Sequence, residues 1–236
     1  MRIAIIPARG GSKRIKNKNI IDFLGKPLIA YALDAARDSD LFDKIHVSTD
    51  SDEIRNIVEG LGYEVDFLRD ATLADDHTGI IPVLKWVHQK YEAIGELYED
   101  ICCIMPTAPL LKPNDLKNAF NLYEENNCKS PLLVVAPFPV PVEWAFYRDS
   151  NSHLLPRDTK SLIIRSQDIK PSFYETGPFT IHHYSHILND NPFNNEQYIS
   201  LLMDKARTVD IDDPNDLELA KILYLGEQSL LKLKND

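Results

Sequence analysis

Cysteine is scarce and poorly placed for crosslinking: the chain has three, two of them adjacent at Cys102 and Cys103. That gives neither an even disulfide framework nor a Cys-x-x-Cys metal pair, so these residues read as reduced core side chains. Long apolar runs are missing too. Each ends within a few residues at a charge or a proline, which speaks against a membrane-spanning helix, and the N-terminal residues lack the basic-then-apolar shape of a signal peptide. The expected location is the cytoplasm, with no membrane partner. Basic residues are in deficit, 26 Lys and Arg against 36 Asp and Glu for a formal charge of −10, which argues against a nucleic-acid-binding surface. Among the nine glycines there is no G-x-G-x-x-G and no G-x-x-x-x-G-K-[ST], the two best-known phosphate loops. Internal repeats and low-complexity segments are also absent.

What is there is an ordinary globular composition over 236 residues, long enough to bury a substantial core. The basic side chains are unevenly spread. Between Arg9 and Lys26, six of them (Arg9, Lys13, Arg14, Lys16, Lys18, Lys26) meet one acid, Asp22, so this stretch is net +5 and the remainder −15. A small positive site in an acidic protein suits a compact polyanion such as a triphosphate better than a long one.

Apolar runs alternate with helical patterns through the first two thirds. Strands are expected at RIAIIP, KIHVS, YEVDFL, DICCIM and PLLVVA, with helices around Pro27–Arg37, Ser51–Leu61, Gly79–Glu92 and Pro113–Asn126. Thr49, Asp50 or Ser51 can cap the second helix, and Pro113 and Pro214 stand where a first-turn proline belongs. Strict alternation implies right-handed crossovers and a mostly parallel sheet, hence a three-layer, Rossmann-like α/β fold. From Pro137 the rhythm breaks: PFPVPVEW is too proline-rich for a central strand, and SLIIRS and PFTIHHY read as short strands in irregular or antiparallel structure. An inserted lobe is expected at about 137–204 within a single 1–236 domain, with the parallel pattern resuming near KARTVDI and the helix after Pro214.

Two constellations carry chemistry. In ARGGSKRIKNKN a glycine turn follows a strand and leads into cations; free backbone N–H groups in such a turn can face an anion, although a plain turn beside solvated lysines would look alike. In VDIDDPND the period of two places Asp210 and Asp212 on one face of a strand, a pair able to bind Mg²⁺ together with phosphate oxygens and water. Asp213 before Pro214 reads instead as a helix cap, and Asp216 as a first-turn acid. His182, His183 and His186 do not form a metal cluster, since strand neighbours face opposite sides.

ARGGSKRIKNKN resembles the first motif of the sugar-activating cytidylyltransferases, the acylneuraminate family that includes CMP-sialic acid and CMP-Kdo synthetases. HVSTDSDEI, FLRDATLADDHTG, IMPTAPLL, IIRSQD, TGPF and DIDDPNDLELA follow in the family's order along nearly the whole chain. LADDHTG, PTAPLL and RSQD look most like the branch acting on pseudaminic acid, a bacterial nine-carbon sugar of surface glycans and flagellin. The resemblance implies a nucleotide-diphospho-sugar transferase-like fold and attack of the sugar's anomeric hydroxyl on the α-phosphorus of CTP, releasing pyrophosphate.

By the same resemblance, Arg9, Ser12 and Lys13, with the backbone at Gly10 and Gly11, hold the triphosphate; Lys18 and Asn19 sit at the reacting phosphate and ribose, with Lys18, Arg9 and Lys13 as the catalytic cations. Arg14 and Lys16 are expected to face solvent. Arg69, Asp76 and Thr78 align with the base-reading segment, although Arg69 could equally pair with Asp70 or Asp66. Thr107, in PTAP after a strand end, suits a ligand contact or a simple turn. Arg165 matches a reader of the sugar carboxylate, with Gln167 beside it. Asp210 and Asp212 match the family's Mg²⁺ ligands, and a homodimer formed through the inserted lobe completes the sugar pocket.

Where sialic acid enzymes have Gln-Pro-Thr-Ser-Pro-Leu-Arg, this chain has Met105 and Leu111 at the polar ends; their Arg-Pro-Asn-Gly is Tyr174 to Gly177, with Thr176 in place of Asn. Met105 and Phe179 would suit a sugar ending in a methyl group. The same reaction on N-acetylneuraminic, legionaminic or Kdo acid stays open. So do a glycosyltransferase and a non-catalytic nucleotide-binding protein.

Overall fold

A computed structural model describes residues 1–128, 130–188 and 197–235. Strand β1 (Arg2–Pro7) is followed by a short hairpin of β2 (Asp22–Phe23) and β3 (Lys26–Pro27), then α1 (Leu28–Ser39), β4 (Lys44–Ser48), α2 (Asp52–Gly60), α3 (Ile80–Glu92), β5 (Asp100–Ile104), α4 (Pro113–Glu125) and β6 (Leu132–Pro137). A second hairpin, β7 (Phe146–Arg148) and β8 (Leu154–Pro156), precedes β9 (Phe173–His183), the short α5 (Tyr184–Leu188), β10 (Ile199–Leu202) and α6 (Pro214–Asn235).

Six strands form one sheet in the order β10-β6-β9-β5-β1-β4. β9 runs antiparallel to both neighbours and the other pairings are parallel. Strand alternation splits the core into two layers. Ala4, Ile6, Cys102 and Ile104 pack with Leu33 of α1 and Phe120 of α4, while Ile3, Ile5, Ile101 and Cys103 pack with Leu84 and Val87 of α3. The adjacent cysteines therefore face opposite helix layers, and burial pushes the Cys103 thiol up to about 12. The three-layer α/β architecture matches the alternation read from the sequence.

Local chemistry fixes the element ends. Ser51 is the residue that caps α2, accepting from the Ile54 N–H, while Thr49 accepts from the Ser51 N–H at 3.1 Å. α6 starts with a reciprocal pair: Asp213 accepts from the Asp216 N–H and Asp216 from the Asp213 N–H, which satisfies donors that a helix start leaves open.

Three strand expectations fail. YEVDFL alternates correctly but lies outside the sheet. Tyr63 and Val65 pack on one core layer and Phe67 on the other, and Asp66 bonds Lys44 and Tyr91. SLIIRS forms two single 3-10 turns, Ser161–Ile163 and Ser166–Asp168. The returning parallel strand is β10, before KARTVDI. Residues 208–212 belong to none of the described strands, so Asp210 and Asp212 project from a loop rather than from one face of a strand. The expected insertion at 137–204 also takes a different form: β9 and β10 belong to the main sheet, and the part that leaves it is 138–172 with its own hairpin.

Two buried histidines make the fold sensitive to acid. Burial lowers the His182 imidazole to about 4, with His186 adding to the effect; burial lowers His46 too, against an opposing pull from Asp66. Below the ordinary value of 6.5 the unfolded chain takes up protons that the native state refuses, so stability is lost as pH falls from there toward the native value. For His182 alone the loss between pH 7 and pH 5 is about 2 kcal/mol. Urea denaturation across this range is expected to show a flatter pH dependence for His182→Gln than for the parent; identical slopes would contradict the assignment.

Candidate active site

A cavity of about 460 Å³ opens beyond the C-terminal ends of β1 and β5, where open α/β sheets place their ligands. Its wall includes Arg9, Ser12, Lys13, Lys18 and Asn19 from the loop after β1, Arg69, Asp76 and Thr78 from the segment before α3, Met105 and Thr107 after β5, and Asp212 from the loop before α6. Five cations (Arg9, Lys13, Arg14, Lys18, Arg69) face three carboxylates (Asp75, Asp76, Asp212) across it. The lining is thus net positive within a chain of net charge −10.

The basic loop is built around backbone contacts. Gly10 donates its N–H to Asp50 at 2.9 Å, and a Cβ on Gly10 would meet Ser51 at 3.0 Å, so this position suits a residue without a side chain. Asn17 turns the chain through a left-handed φ of 52°, leading into the 3-10 turn Lys18–Ile20. Asn19, buried, donates to the Arg9 carbonyl at 2.9 Å and ties the two ends of the loop together. Lys18 reaches across 193 positions of sequence to donate to the Ile211 carbonyl at 2.7 Å, and it pairs with Asp212 at 3.3 Å.

Acidic side chains hold the cations. Arg9 donates to the Asp75 carbonyl and to the Asp76 carboxylate, both at 2.8 Å, and Lys13 pairs with Asp76 as well. Lys13 first and Arg9 second hold the Asp76 carboxyl below its usual value. Desolvation pushes Asp212 up, but Lys18 and Arg14 more than offset it and leave that carboxyl low. Asp210 goes the other way, raised by desolvation and then by the charge of Asp212.

Residues 3–231 match the cytidylyltransferase family. The chain belongs to that family. It is 37% identical over 222 residues to a pseudaminic acid cytidylyltransferase of Campylobacter jejuni, covering 94% of this chain and 95% of the relative. It is 30% identical over 235 residues to a CMP-N,N'-diacetyllegionaminic acid synthase of Legionella pneumophila, covering 98% of this chain and all of the relative. A solved CMP:2-keto-3-deoxy-manno-octonic acid synthetase complexed with CTP shares the fold, with a TM-score of 0.70 at 16% identity over 96% of this chain and 99% of that one.

In this cytidylyltransferase the sequence-derived sugar residues divide. Met105 and Thr107 line the cavity. Phe179 does not: it is 1% exposed and packs inside the core, on the strand position facing Ile104. Thr176 is buried and donates to the Val134 carbonyl, beside Gly177, whose φ of 69° marks a bulge in β9. Tyr174 packs on Phe138 with ring centroids 5.1 Å apart. Arg165 and Gln167 lie exposed on the 138–172 segment, and Arg165 pairs with Asp168 at 2.9 Å. Asp210 is not part of the cavity wall, although its neighbour Asp212 is.

Several residues at or beside the cavity escaped sequence reasoning. Arg14 is not simply a solvent-facing charge, since it lines the cavity and pairs with Asp212 at 2.9 Å. Lys16 is exposed, as expected. Asp50 and Asp75 act through backbone N–H groups, Asp75 accepting from the His77 and Thr78 N–H groups. The TD and DD pairs in the motifs offered a signal for both. Leu73, Ile80 and Val83 give one side an apolar lining that no motif announces.

Arg69 pairs with neither Asp70 nor Asp66. It is 6% exposed and donates to the hydroxyl and carbonyl of Ser48 and to the Leu73 carbonyl. Burial accordingly lowers its pKa. Arg69→Met would leave the Ser48 carbonyl without this donor and is expected to cost about 2 kcal/mol in urea unfolding, with Arg69→Lys recovering only part because it lacks the planar fork. Equal stability of all three proteins would count against this role.

Proposed function

We propose that the chain is a pseudaminic acid cytidylyltransferase: it joins CMP from CTP to the anomeric hydroxyl of the sugar and releases pyrophosphate. The observation that carries the reading is the meeting of the basic loop and the acidic loop at Lys18. That contact holds an ammonium on the wall of the net-positive cavity, which supports a nucleotide phosphate as its partner. The relatives' names support CTP and a nonulosonic acid as substrates, and Met105 on the cavity wall supports a sugar with a methyl group at its end.

In this reading Arg9, Ser12, Lys13 and the N–H groups near Gly10 and Gly11 bind the triphosphate. Asp76 keeps Arg9 and Lys13 in position until phosphate oxygens take over its contacts. Lys18 is aimed before substrate arrives, so it stabilises charge growing on the phosphoryl oxygens without a reorganisation cost. Asn19 orders the loop beneath the ribose, and Arg69 and Thr78 shape the base side together with Leu73, Ile80 and Val83. Arg165 and Gln167 read the sugar from a second copy of the chain. Phe146, Tyr147, Leu154 and Leu155 on the 138–172 segment are exposed, and their burial in a homodimer would bring that arm to the neighbouring cavity. Cytoplasmic work fits an enzyme of CTP; among the described residues no helix is long and apolar enough to cross a membrane.

Asp210 and Asp212 fit Mg²⁺. They are hard oxygen donors two positions apart, burial first and the charge of Asp212 second raise Asp210, and the described residues hold no cluster of three or more His, Cys, Asp or Glu able to enclose an ion. Such a half-shell suits a cation that keeps waters and takes its remaining ligands from phosphate. When bound, the ion supplies charge neutralisation on the phosphates.

Incubation with CTP, Mg²⁺ and a panel of nonulosonic acids is expected to release pyrophosphate fastest with pseudaminic acid. Release with none of the sugars would overturn the reading, and a clear preference for N-acetylneuraminic, legionaminic or Kdo acid would reassign the substrate. Lys18→Ala is expected to lower kcat/KM by a factor on the order of 10² to 10³, measured by the same pyrophosphate assay. Unchanged turnover would remove Lys18 from the machinery.

A further inference from the structure

Helix α6 carries apolar side chains on two opposite faces. The inner face is accounted for: Leu217, Ala220 and Tyr224 pack with Phe23, Leu28 and Tyr31, the Tyr224 ring edge-on to Phe23 and Tyr31 at 5.8 and 5.3 Å. The outer face is not. Leu219, Ile222, Leu230 and Leu233 recur there at helical spacing and are 47, 66, 60 and 73% exposed. Gly226 lies mid-helix on the same stripe, with nothing within 4 Å of the place its Cβ would occupy. A glycine inside a helix costs about 1 kcal/mol relative to alanine, and among the described residues no neighbour uses the space. That open position leaves room for close approach of another backbone.

We propose that this face pairs with the same helix of a second copy, antiparallel, about a two-fold axis passing by Gly226. A symmetric contact joins each residue to its mirror position about that axis. Leu219 then meets Leu233, Ile222 meets Leu230, and the two glycines sit at the crossing. The charges agree. Asp216 and Glu218 stand in the first part of the helix and Lys232 and Lys234 in the last, so an antiparallel partner sets acid against base, Glu218 toward Lys232 on one flank and Asp216 toward Lys234 on the other, whereas a parallel one would set like against like. Within its own chain Glu218 holds Lys221 at 2.8 Å.

The helix is well anchored for such a role. Glu227 on its flank is tied to Lys112 and, at 3.6 Å, to Arg207, and its start is locked by Asp213 and Asp216. The surface is separate in sequence from the arm at 138–172, and the pairing stands whether or not that arm joins copies.

Light scattering on the full chain tests it. Ile222→Lys with Leu230→Lys is expected to halve the particle mass while circular dichroism and CTP binding stay unchanged. Glu218→Lys should weaken self-association about tenfold, and adding Lys232→Glu should restore it. Gly226→Ala should weaken association although alanine favours the helix. A mass unaffected by the paired lysines overturns the proposal, as does failure of the second charge reversal to restore association. So does finding the face covered by a different protein or by another segment of this chain.

Discussion

One lysine holds the two halves of the site to each other. Lys18 leaves the loop after β1 and bonds the Ile211 carbonyl and the Asp212 carboxylate, so the most basic segment of the chain meets an acidic one from near its other end. An ammonium with one-fifth of its side chain exposed is costly to desolvate unless both a carbonyl and a counter-charge face it. Most of the surrounding order follows from meeting that demand. Asn19 pins the loop from below, the Asp213 and Asp216 pair fixes the turn after Asp212, and Arg14 shares the same carboxylate. Remove the lysine and Asp212 keeps only the exposed Arg14 beside it, with desolvation then free to raise it.

The architecture was largely legible because its signals are local. Apolar runs of strand length, helix patterns with Ser, Asp and Pro at their starts, and a basic turn after the first strand each depend on a few adjacent residues. YEVDFL shows where that reading stops. Its alternation is genuine, but Tyr63, Val65 and Phe67 pack against the core layers beside the sheet while Glu64 stays exposed, and no ladder forms. Period alone reports that a segment is buried on one side; it does not say what its backbone bonds. The loop carrying Asp210 and Asp212 misled for the same reason.

In the site, charge was readable and partnership was not. Arg9, Lys13, Lys18 and Asp212 stood out by type and spacing, and all reach one cavity. Arg69 stood out too, yet its partner is a carbonyl of Ser48, a contact that no pattern of side chains announces. Phe179 looked like a wall residue because its motif neighbours are functional, whereas the antiparallel course of β9 turns it inward opposite Ile104. Arg165 depends on a segment that leaves the sheet, so its destination cannot be read from one chain's core.

The borders of the sheet have a consequence of their own. A mostly parallel sheet exposes unpaired backbone at each margin, which invites runaway stacking of one molecule on another. At one margin stands β10, only four residues long. At the other, β4 is accompanied by residues 63–69, which hold to it through Asp66 on Lys44 and the Arg69 N–H on the Thr49 carbonyl. The stretch that failed to become a strand thus serves as a selvedge: it occupies the margin where a foreign strand would otherwise add, and keeps the sheet from extending along its own weave.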